Sequence, residues 1–338
     1  MHLCFVVHRY PPFKGGSEYY VQAMAEECIA RGYQATVYTN EHKGNLNGVH
    51  VTSDIEILKK PFDLMVVHGG DVYNQNIVLM NAHLIKQISP IVYMLILPSS
   101  SAICLKGMQD ANFLGCSTQD DWNHCSAFGY KNKAVAIRHG IVFHEFDEEV
   151  KAARAQAFKK TYGIATKYMI LSCGGFWQHK GFEELANTFN SVSLNTNNIN
   201  DITLVLTGYH PDPNYMQLPN IKDSQNIRIL YLEDRADVDR AMAAADLYVM
   251  NSYKEGFGLV LLEAMAQKVP WIARNIAGAK EMNSFGKTYG QETDRTLESL
   301  LTHLPETIAS IDVEAAYNFL KGHYTIKHTV NDILQCIK

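Results

Sequence analysis

Short apolar runs alternate with stretches of helical period along the whole chain. In the first half the runs fall at 3–7, 35–38, 64–67, 91–97, 113–116 and 135–137, with helical patterns at 18–30 and 76–88. The runs are dense in Val, Ile and Leu and lack the alternation of a strand that faces water on one side. They therefore predict strands covered on both faces. The second half repeats the rhythm, with runs at 168–172, 202–206, 227–230, 247–250 and 271–273 and helical patterns at 182–191, 238–245 and 259–266. This series predicts an α/β protein built on two doubly wound, Rossmann-like parallel sheets. The charged, helix-prone stretch at 143–162 holds no strand candidate and separates the halves. The predicted boundaries are 1–145 for a first domain, 146–317 for a second and 318–338 for a terminal helical segment. Doubly wound sheets bind ligands beyond the carboxyl ends of their strands, so function is expected in a cleft between the domains. The Asn-rich tract at 195–200 predicts an exposed loop.

Composition adds exclusions. The 338 residues suit about two domains, and 47% apolar against 19% charged residues supplies compact cores, which excludes disorder and coiled coil. Thirty Lys+Arg face 35 Asp+Glu, for a net charge of -5, and neither half is basic: 11 against 15 in residues 1–150, 19 against 20 in the rest. That balance argues against nucleic acid as a partner and against a polybasic membrane anchor. It leaves peripheral membrane contact open without indicating it. Seven cysteines without a C-x-x-C pair fit a reducing cytoplasm. His124 and Cys125 beside Cys116 are too few for a zinc site, so no metal is expected. The apolar run at 3–7 is too short for the core of a secretion signal, and the run at 91–97 is far short of a membrane span.

The chemistry concentrates at 251–270, NSYKEGFGLVLLEAMAQKVP, between two predicted strands. Gly256 and Gly258 at a strand-to-helix turn let backbone N–H groups approach a ligand, and a helix N-terminus favours an anion. From 256 to 266 Glu263 is the single charged residue, so its carboxylate needs a specific partner, either a ligand or a structural Arg or Lys. It lies about 7–8 Å along the helix from Gly258, a suitable offset between a phosphate and the hydroxyls of its ribose. Ser252 and Glu255 also match a capping box. A helix starting there would carry both glycines in its first turns at about 1 kcal/mol each, which favours the ligand reading.

Glu255 and Glu263 form the E-x7-E pattern, and the whole block resembles retaining GT-B glycosyltransferases of family 4, the glycosyl transferases group 1. The stretches AADLYVM at 244–250, NIRILYL ending at Leu232, LVLTG ending at Gly208, PPFKGG at 11–16 and IRHGI at 137–141 are similar to further segments of that family. The resemblance covers about residues 1–285 and is most specific in the second domain. It implies a hexosyl transfer from a nucleotide-diphosphate sugar to an acceptor hydroxyl of a glycan or small molecule, with retention and without metal or cofactor. Glu263 would then bind the ribose hydroxyls. Glu255, Gly256 and the N–H groups of Phe257, Gly258 and Leu259 would contact sugar and phosphates. Gly15 and Gly16 would bring backbone close to the diphosphate, and Lys180 would match the phosphate lysine, which makes Lys180 and Glu255 the catalytic candidates. Substrate contacts are also expected at His68, Arg138, Ser99, Gly208 and Leu232.

Two departures stand out. Position 175 is Gly where the family usually has Arg, and one lost donor of this kind typically costs about 2.7–4 kcal/mol of transition-state stabilisation. Arg138, Lys14 and His179 are the replacement candidates. After the run at 91–95 the family often has His, where this chain has LPSSS at 97–101. Asp237 and Asp239 imitate a metal-binding D-x-D, but their place at a helix start predicts an acidic first turn instead. A sugar-nucleotide hydrolase, epimerase or phosphorylase and a non-catalytic nucleotide-sugar-binding protein stay open as alternatives. A nicotinamide dehydrogenase is disfavoured, because no G-x-G-x-x-G follows the first strand.

Overall fold

The computed structural model describes all residues except 14, 41, 69–72, 196–200, 209–220, 222–225, 233 and 338. Lys14, Gly69, Gly70, Asp71 and most of the Asn-rich tract thus lie outside the described residues. The chain divides into two compact units, Met1–Val142 with His323–Lys338, and Phe143–Gly322. The boundaries stand at 142/143 and 322/323, where the pattern suggested 145/146 and 317/318.

In the first unit the apolar runs form β1 (His2–Val6), β2 (Gln34–Tyr38), β5 (Leu64–His68), β6 (Ile91–Met94), β7 (Phe113–Cys116) and β8 (Ala134–Ala136). With β3 (Gly44–Leu46) and β4 (Val49–Thr52) they make one sheet, in the order β3-β4-β2-β1-β5-β6-β7-β8. Every pairing is parallel except β3 with β4. That hairpin was not predicted. It turns on Asn47 and Gly48, both at positive φ (52° and 85°), the conformation that a tight two-residue turn requires. The helical pattern at 76–88 is broken into two helices, Tyr73–Met80 and Ala82–Ile85.

In the second unit β9 (Tyr168–Cys173), β10 (Ile202–Gly208), β11 (Ile227–Tyr231), β12 (Leu247–Met250), β13 (Trp271–Arg274) and β14 (Lys287–Tyr289) form a wholly parallel sheet, ordered β11-β10-β9-β12-β13-β14. Its core packs the helix Phe182–Asn195 through Leu185, Ala186 and Phe189 against Leu204, Leu206, Leu247 and Val249. The charged linker supplies the helix Glu148–Thr161, capped by the Asp147 carboxylate on the Val150 N–H. Among the described residues no helix is long and apolar enough to cross a membrane, and all seven cysteines are free thiols.

Each sheet reverses its winding once. β1 lies between β2 and β5, and β9 lies between β10 and β12. At such reversals the loops after adjacent strands diverge to opposite faces and leave a crevice for ligands. The loops after β9 and β12 carry Lys180 and Glu255.

Candidate active site

The loop after β12 stays unwound until Gly258, which adopts φ 91° and ψ 54° and precedes the helix Leu259–Ala266. A Cβ at Gly258 would stand 3.0 Å from Met250 Sδ, so left-handed backbone and close packing both require glycine. No side chain caps this helix, and its first N–H groups face away from the helix body. The capping-box reading is corrected here: Ser252 Oγ donates to Glu255 Oε1 at 2.6 Å inside the loop, seven residues before the helix begins.

The loop after β9 brings Lys180 to the same carboxylate. Its Nζ stands 2.5 Å from Glu255 Oε1, and both side chains are mostly buried. The two loops are tied by backbone, Tyr253 N–H to the His179 carbonyl at 2.7 Å. Beneath them sits Asn251, fully buried at the end of β12. Its amide donates to the Gly181 carbonyl at 2.7 Å and to Glu184 Oε2 at 3.1 Å, and its oxygen accepts from Tyr289 Oη at 2.5 Å and Arg274 Nη2 at 3.1 Å. Arg274 also pairs with Glu184 and lies over the Tyr253 ring, 4.5 Å from its centroid. Ends of β12, β13 and β14 and the loop after β9 are thus joined by one polar network beneath the Lys180–Glu255 pair. Nothing in the local sequence singles out Asn251, Glu184 or Arg274, because the network's hydrogen bonds join residues up to ninety positions apart.

Glu263 is paired, and its partner is Arg235, whose Nη2 lies 2.6 Å from Oε1. Arg235 also reaches Asp239 at 3.2 Å. Burial holds the Glu263 carboxyl above the usual carboxylate range, opposed by Arg235, and Glu263 in turn raises the guanidinium. The isolated carboxylate in an apolar segment was the signal for such a cation, although it did not say which one. Asp237 pairs with Arg240, so both carboxylates of the D-x-D imitation are engaged by arginines on the helix Arg235–Ala244.

Gly208 and Leu232 do not stand as substrate contacts through their side-chain positions. A Cβ at Gly208 would lie 1.8 Å from the Gly174 carbonyl, so this glycine serves the packing of β10 on the loop after β9. Leu232 is buried, and its N–H goes to the Gly208 carbonyl at 3.2 Å. His179, a candidate replacement cation, has its pKa lowered by burial and by Lys180, which disfavours its charged form.

In the first unit Gly15 precedes the helix Gly16–Ala30, which also lacks a side-chain cap. A Cβ at Gly16 would meet no atom within 4 Å. His68, expected as a substrate contact, is buried at the end of β5. Its ring meets Tyr20 edge-on at 5.7 Å, and the His139 ring stacks on Tyr20 at 4.9 Å. Burial pushes the His139 pKa down to about 3, so it is neutral at neutral pH. Arg138 is not a free replacement cation. Its Nε and Nη2 bind the two oxygens of Asp332 at 2.8 and 2.6 Å, and its N–H joins them at 3.0 Å. Ser99 donates to Ser101 Oγ at 3.0 Å, and Ser101 caps the helix Ala102–Asp110 through the Cys104 N–H. The serines therefore begin a helix, a simpler reason for their presence than a ligand.

Two Rossmann-like units with this loop chemistry define the class of the protein: its fold is GT-B. Residues 154–293 match the family described as glycosyl transferases group 1. It is 30% identical over 151 residues to the N-acetyl-alpha-D-glucosaminyl L-malate synthase of Bacillus anthracis, covering 44% of this chain and 38% of that protein. A D-inositol 3-phosphate glycosyltransferase of Mycobacterium sp. (strain KMS) is 35% identical over 104 residues, 28% of this chain and 24% of the relative. The matched segments thus span well under half the length of these relatives. HepE of Anabaena, crystallised with UDP and glucose, superposes with a TM-score of 0.76 at 17% identity over 99% of this chain and 98% of its own. Sucrose-phosphate synthase of Thermosynechococcus elongatus gives 0.78 at 15% identity over 99% and 97%.

Proposed function

We propose that the protein is a retaining glycosyltransferase that moves a sugar from a nucleotide-diphosphate donor to an acceptor hydroxyl without a metal or cofactor, in the cytoplasm. The observation that carries this reading is the Lys180–Glu255 pair beside an uncapped helix N-terminus at the winding reversal of the second sheet. A diphosphate arriving there draws Lys180 Nζ away from Glu255, since two phosphates hold an ammonium more strongly than one carboxylate. Glu255 is then released to accept from a hydroxyl of the sugar. The N–H groups of Gly258 and Leu259 add oriented positive charge, and together with Lys180 they offset the charge that grows on the leaving diphosphate. Glu263 binds the ribose. A carboxylate has about four acceptor positions, so the bond to Arg235 and two ribose hydroxyls are compatible. The leaving phosphate takes the acceptor proton on the same face, which gives retention. The relative crystallised with UDP and glucose supports a nucleotide-sugar donor. The acceptor is a glycan or a small hydroxylated molecule.

A thermal-shift screen of UDP, GDP and ADP with their sugars tests the donor site. One base class should raise the unfolding midpoint, since a ligand at a hundredfold its Kd contributes about 2.7 kcal/mol. No response from any of them would sink the reading.

A further inference from the structure

The loop that carries Lys180 presents a second group whose placement the account above does not use. Phe176 is fully buried against Phe182 and Tyr231, and the next residue, Trp177, is 49% exposed. Of the three tryptophans, Trp271 is fully buried and Trp122 packs on the core of the first unit. Trp177 alone among the three is turned to solvent, yet it is firmly placed. Its indole edge lies across Gly175, where a Cβ would stand 2.5 Å from Nε1 and 2.6 Å from Cδ1. Backbone bonds close the turn, Trp177 N–H to the Gly175 carbonyl at 2.7 Å and Lys180 N–H to the Trp177 carbonyl at 2.9 Å. The preceding glycine carries the lysine in the same manner: a Cβ at Gly174 would meet Lys180 Cε at 3.3 Å and Nζ at 3.7 Å. Successive α-carbons therefore bear the lysine stem and the indole edge, which puts Nζ and Nε1 within about 13 Å of one another at most. Any side chain at 175 would displace the indole, so the glycine and the exposed ring belong to one arrangement. An indole offers a single N–H donor and a rigid apolar face, and it loses little conformational entropy when a ligand meets it.

We propose that Trp177 is a donor-contacting residue: its indole N–H donates to the outer phosphate of the nucleoside diphosphate beside Lys180. This rests on the donor-site reading above. It also accounts for Gly175, since a neutral donor reaches the phosphate from the position where a longer cationic side chain was expected. The leaving diphosphate then faces Lys180 together with a neutral N–H.

The test uses the full chain and the nucleoside diphosphate that stabilises it most, with the matching monophosphate as control. Trp177→Phe keeps the ring and loses the N–H. It should weaken the diphosphate about tenfold by calorimetry, the effect of one hydrogen bond to a charged group, and change monophosphate affinity less than twofold. Saturating diphosphate should also shift the tryptophan emission of the unaltered chain, and this shift should vanish in Trp177→Phe. Wild-type diphosphate affinity in Trp177→Phe, with binding still lost in Lys180→Ala, would overturn this proposal and leave the donor site standing. Wild-type affinity in both variants would overturn the donor site as well. An emission unchanged by saturating diphosphate would overturn the proposal without any variant, and the exposed position of Trp177 predicts that Trp177→Phe folds with an unaltered midpoint.

Discussion

Lys180→Ala should lower kcat by a factor of about 100 to 1,000 while the unliganded protein stays folded. The magnitude follows from removing one preorganised donor from a developing anion, about 2.7–4 kcal/mol. The fold should tolerate the change, because the lysine lies on a loop and its stem rests on Gly174 without filling a core. Glu255 keeps a hydrogen bond from Ser252 Oγ when the lysine is gone. Glu255→Ala should cost activity through the sugar, and the two changes together should cost less than the sum of their separate free energies, since Lys180 and Glu255 share one contact and one ligand. Steady-state rates for the two single variants and the double variant measure this directly. A Lys180→Ala enzyme within threefold of wild type would remove the lysine from the chemistry.

The second large effect is structural and lies in the first unit. Asp332→Ala should destabilise that unit by about 1.5–3 kcal/mol, the worth of hydrogen bonds to a charged group, because it leaves the partly exposed Arg138 guanidinium and the Arg138 N–H without their acceptor. Asp332 stands on the helix Ile326–Leu334, which is joined to residues 138–141 at several other points. Thr329 Oγ1 donates to the Arg138 carbonyl at 2.8 Å, and Ile326 N–H donates to the Ile141 carbonyl at 2.7 Å. A Cβ at Gly140 would lie 2.2 Å from the Thr325 carbonyl, so the two segments interlock closely. Arg31 adds bonds to Asn331 and to the Lys327 carbonyl. Urea denaturation of the variant should show the midpoint falling, with early exposure of the C-terminal helix to protease. A change below 1 kcal/mol would mean that this ion pair is incidental.

Most of the architecture was legible because parallel strands buried on both faces leave dense apolar runs, and turns at their ends leave glycines. The block around Glu255 and Gly258 was legible for the same reason: a backbone that must be left-handed and closely packed permits few residues. The hairpin of β3 and β4 was missed because its strands are short and polar, although Asn47-Gly48 is a strong turn signal once strands are suspected. The partners of charged groups were less legible. Arg138 was read as a cation for the ligand, and it serves Asp332, 194 residues away. Glu263 announced that it needed a partner, but Arg235 could be identified only when β11 and the following helix were placed beside it. Trp177 stands out only through its contact with Gly175, which no spacing along the chain announces. In each case the local chain states a need, and tertiary packing decides what meets it.

The proposed reaction is transfer of a sugar from a nucleotide diphosphate with retention. Proton NMR of the product formed from an α-linked donor of the base class chosen by the binding screen is its sharpest test, with a panel of hydroxylated acceptors and with water as the simplest one. An α-configured product is expected, or α-sugar released first when water is the acceptor, formed at a rate that collapses in Lys180→Ala. A β-configured first product, or release unaffected by loss of Lys180, would contradict it.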